Sequence, residues 1–277
     1  MPPSEFRFSH LAAATVAGTF ALLLLGIYTA AVGAGLACDA RWPFCDGWMG
    51  LFPANWPSFV EWFHRLVAMI VGFMILGTWL STWHRGRSRR AVVALTMAVG
   101  LLPVQIWLGA ETVLSYESLY LIAHFSTALI IFTSLMLGVI WATNWHDSAS
   151  LDIRQLLGGT LVLTVPFLTL TPGFTVIHSP NIQLLYYGIG LAMFTGVVLT
   201  AVKTSGRDSR SVVTWLSAGA AVLLAIQLTA GRLVRTDLVT TLDWAAGFTL
   251  IIVLSVALWV TLTRDLSQRR RPSSLIN

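Results

Sequence analysis

The chain has 277 residues, of which 56% are hydrophobic and only 10% charged, and it carries a formal net charge of +5. A soluble domain of this length has too little interior to hide so much apolar surface, so the composition excludes one and points to an all-α, polytopic membrane protein. The positive charge is placed as membrane loops place it and calls for no nucleic acid.

Eight apolar runs are read as helices crossing a hydrocarbon core of roughly 30 Å. The first, Leu11 to Val32, is too long for a cleaved signal peptide, and no small-residue cleavage site stands out behind it. The loop that follows holds the only two cysteines, Cys38 and Cys45. With no third or fourth ligand of the right kind beside them, they read as a disulfide in an oxidising compartment rather than a metal site, two free thiols being the alternative. Trp42, Trp48, Trp56 and Trp62 form an aromatic belt around this loop, and Gly47 to Ser58, with Pro53 and Pro57, is read as a lid along the surface.

The next runs are Phe59 to Trp83, Ala91 to Ala110 and Ser118 to Trp141. The fifth, Leu156 to Leu170, is interrupted by Pro166 and followed by Pro172. Ile182 to Val202, Ser211 to Ala230 and Leu238 to Leu262 complete the set. Arg7, the Arg85/Arg87/Arg89/Arg90 cluster, Arg154, Lys203/Arg207/Arg210 and Arg264/Arg269/Arg270/Arg271 fall on one side, against Arg41, Arg65, Arg232 and Arg235 on the other. Positive charge collects on the retained side, so both termini are expected in the cytoplasm, with the spans in the cell membrane.

Two of the six histidines lie inside spans, His64 and His124, at matching depths in runs entering from the same side. An ionisable side chain inside a membrane is costly unless it pairs or coordinates. Singly, each is explained by a hydrogen bond to a backbone carbonyl; as a depth-matched pair they read as imidazoles facing across a gap that fits a flat metallocycle, a bis-histidine haem. Glu61 shares a helix face with His64 at i, i+3. It is read either as an orienting or proton-handling carboxyl or as an interfacial partner of Arg65. Arg65 in turn is read as that partner or as a contact for a haem propionate.

An internal repeat divides the chain. Arg87-Ser-Arg-Arg-Ala-Val-Val93 recurs as Arg207-Asp-Ser-Arg-Ser-Val-Val213, and Gln105-Ile-Trp-Leu-Gly109 is echoed by Gln227-Leu-Thr-Ala-Gly-Arg232. Four spans per copy keep the orientation, which gives two parallel-repeat four-helix bundles. Residues 1–150 form an N-terminal bundle with the haem site and the cysteine loop, and residues 151–277 a C-terminal bundle without the histidine pair. At the offset of the repeat His64 maps to Leu184 and His124 to Trp244, with Asp243 the nearest polar residue. His178 lies in the loop before the sixth run and is not taken as a ligand.

Gly33-Ala-Gly-Leu-Ala-Cys38, Trp42-Pro-Phe-Cys-Asp-Gly47, Glu61-Trp-Phe-His-Arg65, Gln105 with Leu108-Gly109, and Ala123-His124 with Ala128 together resemble the first half of haem A synthase. The resemblance implies oxidation of the C8 methyl group of haem O, through two hydroxylations and loss of water, to the formyl group of haem A for terminal oxidases. It implies that His64 and His124 hold the substrate haem, that Glu61 assists the chemistry and that Cys38 and Cys45 form a loop disulfide. The implied partners are haem O and the enzyme that makes it, membrane lipid and an unidentified electron carrier, with association of copies left open. The family's second half carries its own histidine pair for a relaying haem b. Here Leu184, Asp243 and Trp244 stand in those places, and Ala30, Val32 and Glu111 also depart from the pattern. Two other classes compete: a b-type cytochrome or haem carrier using the same pair, and a catalytically silent partner in oxidase assembly.

Overall fold

The computed structural model describes residues 3–38, 41–50, 52–115, 117–143, 152–171, 179–205, 212–232 and 237–269. These residues form eight α-helices and no strand: α1 (Pro3–Ala31), α2 (Trp56–His84), α3 (Arg89–Leu114), α4 (Ser118–Thr143), α5 (Ile153–Thr169), α6 (Pro180–Ser205), α7 (Val212–Ala230) and α8 (Asp237–Arg269). Short 3-10 turns at Ala34–Leu36 and Trp48–Gly50 shape the α1–α2 loop. The protein is an all-α multi-pass membrane protein: seven of the eight helices are long and apolar enough to cross a bilayer. The eighth, α5, has 17 residues, and at 1.5 Å per residue its roughly 26 Å falls short of a full hydrocarbon core. Pro166 does not interrupt it; the helix continues past the proline to Thr169.

Two compact units emerge. The first comprises Met1–Asp147, Val176–Gly188 and Thr229–Val234, and the second Ser148–Thr175, Ile189–Leu228 and Arg235–Asn277. In the first, α1 packs on α2 and α4, α2 on α3, and α3 most extensively on α4, closing a ring of four helices. Val71 and Ile75 of α2, Leu95 and Ala98 of α3, and Ile131 and Leu135 of α4 form its core. In lipid, apolar contact alone drives helices together weakly, so small residues and interhelical hydrogen bonds matter more. Both are present: a Cβ at Gly138 would fall 2.5 Å from Leu95 Cγ, the hydroxyls of Thr15 and Thr78 meet at 2.9 Å, and Trp79 Nε1 donates to Thr96 Oγ1 at 2.9 Å.

In the second unit α5 packs against α8. Gly190 admits Leu228 and Phe167, and Gly196 admits the Thr160 hydroxyl, 2.6 Å from where a Cβ would stand. Close helix approach in this unit also rests on missing side chains.

Candidate functional site

The α1–α2 loop is fastened at several points. Cys38 and Cys45 form a disulfide, their Cα atoms 4.5 Å apart and both residues buried. Asp46 stands beside them, but with the two sulfurs bonded to each other no metal-ligating set remains there. Gly47 adopts φ +87, and a Cβ there would run into the Phe52 carbonyl, so only glycine fits this turn. Asn55 caps α2 by accepting from Ser58 N at 3.0 Å. The Ser58 hydroxyl lies within hydrogen-bond distance of Asp46 Oδ2 (2.7 Å) and Ala37 O (3.0 Å).

Arg65, one turn further along α2 than Glu61, ties the loop to the helix. Its Nε donates to Glu61 Oε1 at 2.8 Å, and its Nη1 reaches three loop carbonyls, Arg41 O (3.1 Å), Pro43 O (3.1 Å) and Phe44 O (2.9 Å). Nη2 is buried without a partner. Of the readings for Glu61 and Arg65 the structure shows the i, i+4 ion pair, and it leaves one guanidinium nitrogen without a hydrogen-bond partner.

The structure brings His64 of α2 and His124 of α4 into one unit, close enough to interact electrostatically. His64 makes no bond to a backbone carbonyl, whereas His124 lies close enough to the Gln105 backbone to interact with it; by strict hydrogen-bond geometry Nδ1 of each ring is buried and unpartnered. Each ring also lies against a glycine of a neighbouring helix. A Cβ on Gly26 of α1 would stand 3.1 Å from His64 Cε1, and a Cβ on Gly109 of α3 would stand 3.1 Å from His124 Cε1. Such contacts are tighter than carbon atoms normally tolerate, so both rings occupy space that any other residue would fill. Gln105, one turn before Gly109 on the same face of α3, places its amide Nε2 3.2 Å from His124 Nε2. Its Oε1 is buried and without a partner.

Buried imidazoles with orphaned nitrogens are costly as they stand and fit the axial positions of a metalloporphyrin, whose iron takes neutral imidazole. Gly26 was missed from sequence because it lies 38 positions before His64 on another helix, with nothing local to mark it. Gly109 and Gln105 were legible as motif residues, though not their contacts with His124.

Among its described residues the second unit holds nothing equivalent. Gln227 of α7, the counterpart of Gln105 in the repeat, donates to the backbone carbonyl of Asp243 at 3.1 Å. Trp244 stacks on Phe248, ring centres 5.9 Å apart. Gly247 is filled by Leu168. Leu184, the counterpart of His64, belongs to the first unit, where it lines a shallow apolar recess with Leu24, Leu25 and Tyr28. His178 lies outside the described residues.

The paired, glycine-seated histidines of this helical membrane unit are donors of the kind that a tetrapyrrole iron takes. Residues 49–176 match the family COX15-CtaA, described as cytochrome oxidase assembly protein. Through this segment the chain is similar to that family and to the haem A synthases. It is 32% identical over 130 residues to the haem A synthase of Lysinibacillus sphaericus, which covers 46% of this chain and 42% of that protein. It is 30% identical over 154 residues to the haem A synthase of Exiguobacterium sibiricum, covering 52% and 51%. A further likeness, 35% over 137 residues, is to a protoheme IX farnesyltransferase of Halobacterium salinarum, covering 49% of this chain and 29% of that protein. The chain thus spans about half or less of the curated relatives it matches.

Proposed function

We propose that the chain is a haem A synthase-like oxidoreductase of the cell membrane, oxidising the C8 methyl of haem O to the formyl group of haem A for terminal oxidase biogenesis. The observation that carries this reading is the pair of imidazoles from α2 and α4, each with a buried orphan nitrogen and each seated on a glycine. His64 and His124 hold the substrate haem between them. Water supplies the oxygen atom, and Glu61, one turn from His64 and paired with Arg65, takes up a proton released as the methyl carbon is oxidised. An electron carrier, unidentified by sequence or fold, receives the electrons. The enzyme that makes haem O is the natural supplier, and the likeness to protoheme IX farnesyltransferases is in keeping with that neighbourhood. The division into halves at residue 150, the cytoplasmic termini and the absence of a second haem belong to the same proposal.

Prenyl transfer itself is the weaker reading. A diphosphate leaving group is handled with Mg²⁺ held by carboxylates, and among the described residues the acidic side chains form no such group. A b-type cytochrome using the same histidines is separated from the oxidase by one variant. Glu61→Gln keeps the shape and removes the titrating carboxyl. Haem binding is expected to persist while conversion of haem O to haem A, read by pigment extraction, falls at least tenfold, about 1.4 kcal/mol of barrier. Unchanged conversion removes Glu61 from the chemistry, and wild-type protein that holds haem O but never yields haem A establishes the cytochrome.

A further inference from the structure

The turn after α7, Gly231 and Arg232, is grouped with the first unit although it lies more than fifty residues beyond the matched family segment. Arg232 is partly buried there. Its guanidinium carbon sits 4.6 Å from the ring centre of Tyr187 and 5.6 Å from that of Phe125. Those rings stand edge-on to each other at 5.5 Å, and Phe125 directly follows His124. Arg232 is also close enough to His124 to act on it electrostatically. Its Nε is buried with no hydrogen-bond partner, and among the described residues no carboxylate pairs with it.

Two aromatic faces stabilise a guanidinium, but they leave its in-plane donors unused. A planar fork of N–H groups is matched by a carboxylate. Next to the histidine pair, two cations keep a buried donor without a hydrogen-bond partner: Arg65 beside His64, at Nη2, and Arg232 near His124, at Nε. A haem presents two carboxylate arms on one edge, and the two imidazoles would hold its iron.

We propose that Arg232 is a binding residue of the His64/His124 site and receives one carboxylate arm of the tetrapyrrole held there. The inference rests on the haem-binding reading above and adds a residue from the C-terminal half to the N-terminal site. It also gives that half, which lacks its own histidine pair, a part in the first unit's chemistry.

The test uses the full chain in detergent, titrated with iron protoporphyrin IX and separately with its dimethyl ester, which keeps the ring and iron and removes both negative charges. Wild type is expected to bind the diacid at least tenfold more tightly than the ester. Arg232→Gln is expected to weaken diacid binding at least fivefold and leave ester binding and its low-spin spectrum unchanged, which also shows that the variant is folded. Arg232→Lys, which keeps the charge and loses the fork, is expected to fall between the two and serves if the Gln variant does not fold. Equal weakening of acid and ester would make Arg232 a packing residue of the aromatic pair and overturn the proposal, as would no change in either. Failure of the reading beneath it looks different: wild type would then bind neither compound with a bis-imidazole spectrum.

Discussion

Gln105 and Gln227 occupy corresponding places in the two halves of the repeat and do different work. In the first unit the glutamine amide meets an imidazole at 3.2 Å; in the second it closes on the Asp243 backbone carbonyl at 3.1 Å. The glycines diverge in the same way. Gly26 and Gly109 leave room for rings that carry nitrogen, whereas Gly247 is filled by the apolar end of Leu168. The space beside the glutamine thus holds an imidazole in one unit and a leucine in the other.

The largest expected effect breaks this contrast outright. His64→Ala or His124→Ala should lower haem affinity at least a hundredfold, roughly 2.7 kcal/mol, and wild type should hold one tightly bound haem per chain. Two low-spin bis-histidine haems per chain, counted by iron and pigment analysis, would make the halves equivalent after all. Next comes the loop, since both cysteines lie in the first unit. Replacing Cys38 and Cys45 by serine should cost about 2–3 kcal/mol by loop-closure entropy for so small a ring. Hydrogen exchange should speed in α1 and the start of α2 and stay unchanged in α5 to α8. Peptide mapping without reductant should find one peptide pair joined through these residues; freely alkylated thiols would remove the claim.

The glycines come third. Gly26→Ala or Gly109→Ala should weaken haem binding about tenfold, within the usual cost of overpacking, and shift the low-spin g-values as a ring turns. Gly72→Ala and Gly100→Ala, at positions facing open space, should do neither. Gly247→Ala should destabilise the second unit and leave the haem spectrum alone. The smallest effect belongs to the glutamines. The Gln105 amide steadies the His124 ring through one hydrogen bond, so Gln105→Leu should slow haem association about two- to tenfold, the worth of one such bond. Gln227→Leu should leave that rate unchanged while exposing an unpaired carbonyl at a cost of about 1–3 kcal/mol in stability.

Much of this was legible in the chain because apolar length and histidine depth are properties of single helices. The eight runs became α1 to α8, and the matched depth of His64 and His124 brought their imidazoles into one unit. Pro166 misled because a proline inside an apolar run reads as a break, whereas a helix in a membrane can lose one backbone bond and go on. Arg65 and Glu61 were read as partners because i, i+4 spacing is local, but the three loop carbonyls that Arg65 gathers depend on the fold of residues 41 to 44. Gly26 and Arg232 escaped for a shared reason: each meets its histidine from a different helix or turn, and no periodicity records which residues a bundle will bring side by side.

Gln105 and Gly109 are one turn apart on α3, so a single turn of one helix supplies both the donor and the hollow that position His124. At 3.6 residues per turn, one residue inserted upstream of Gln105 within α3 would rotate that turn by about 100° and strip His124 of both supports together. His64, seated against α1, would keep its hollow. The site would then be left lopsided, with one imidazole still aimed and the other adrift, a state that a five-coordinate, high-spin spectrum would reveal at once.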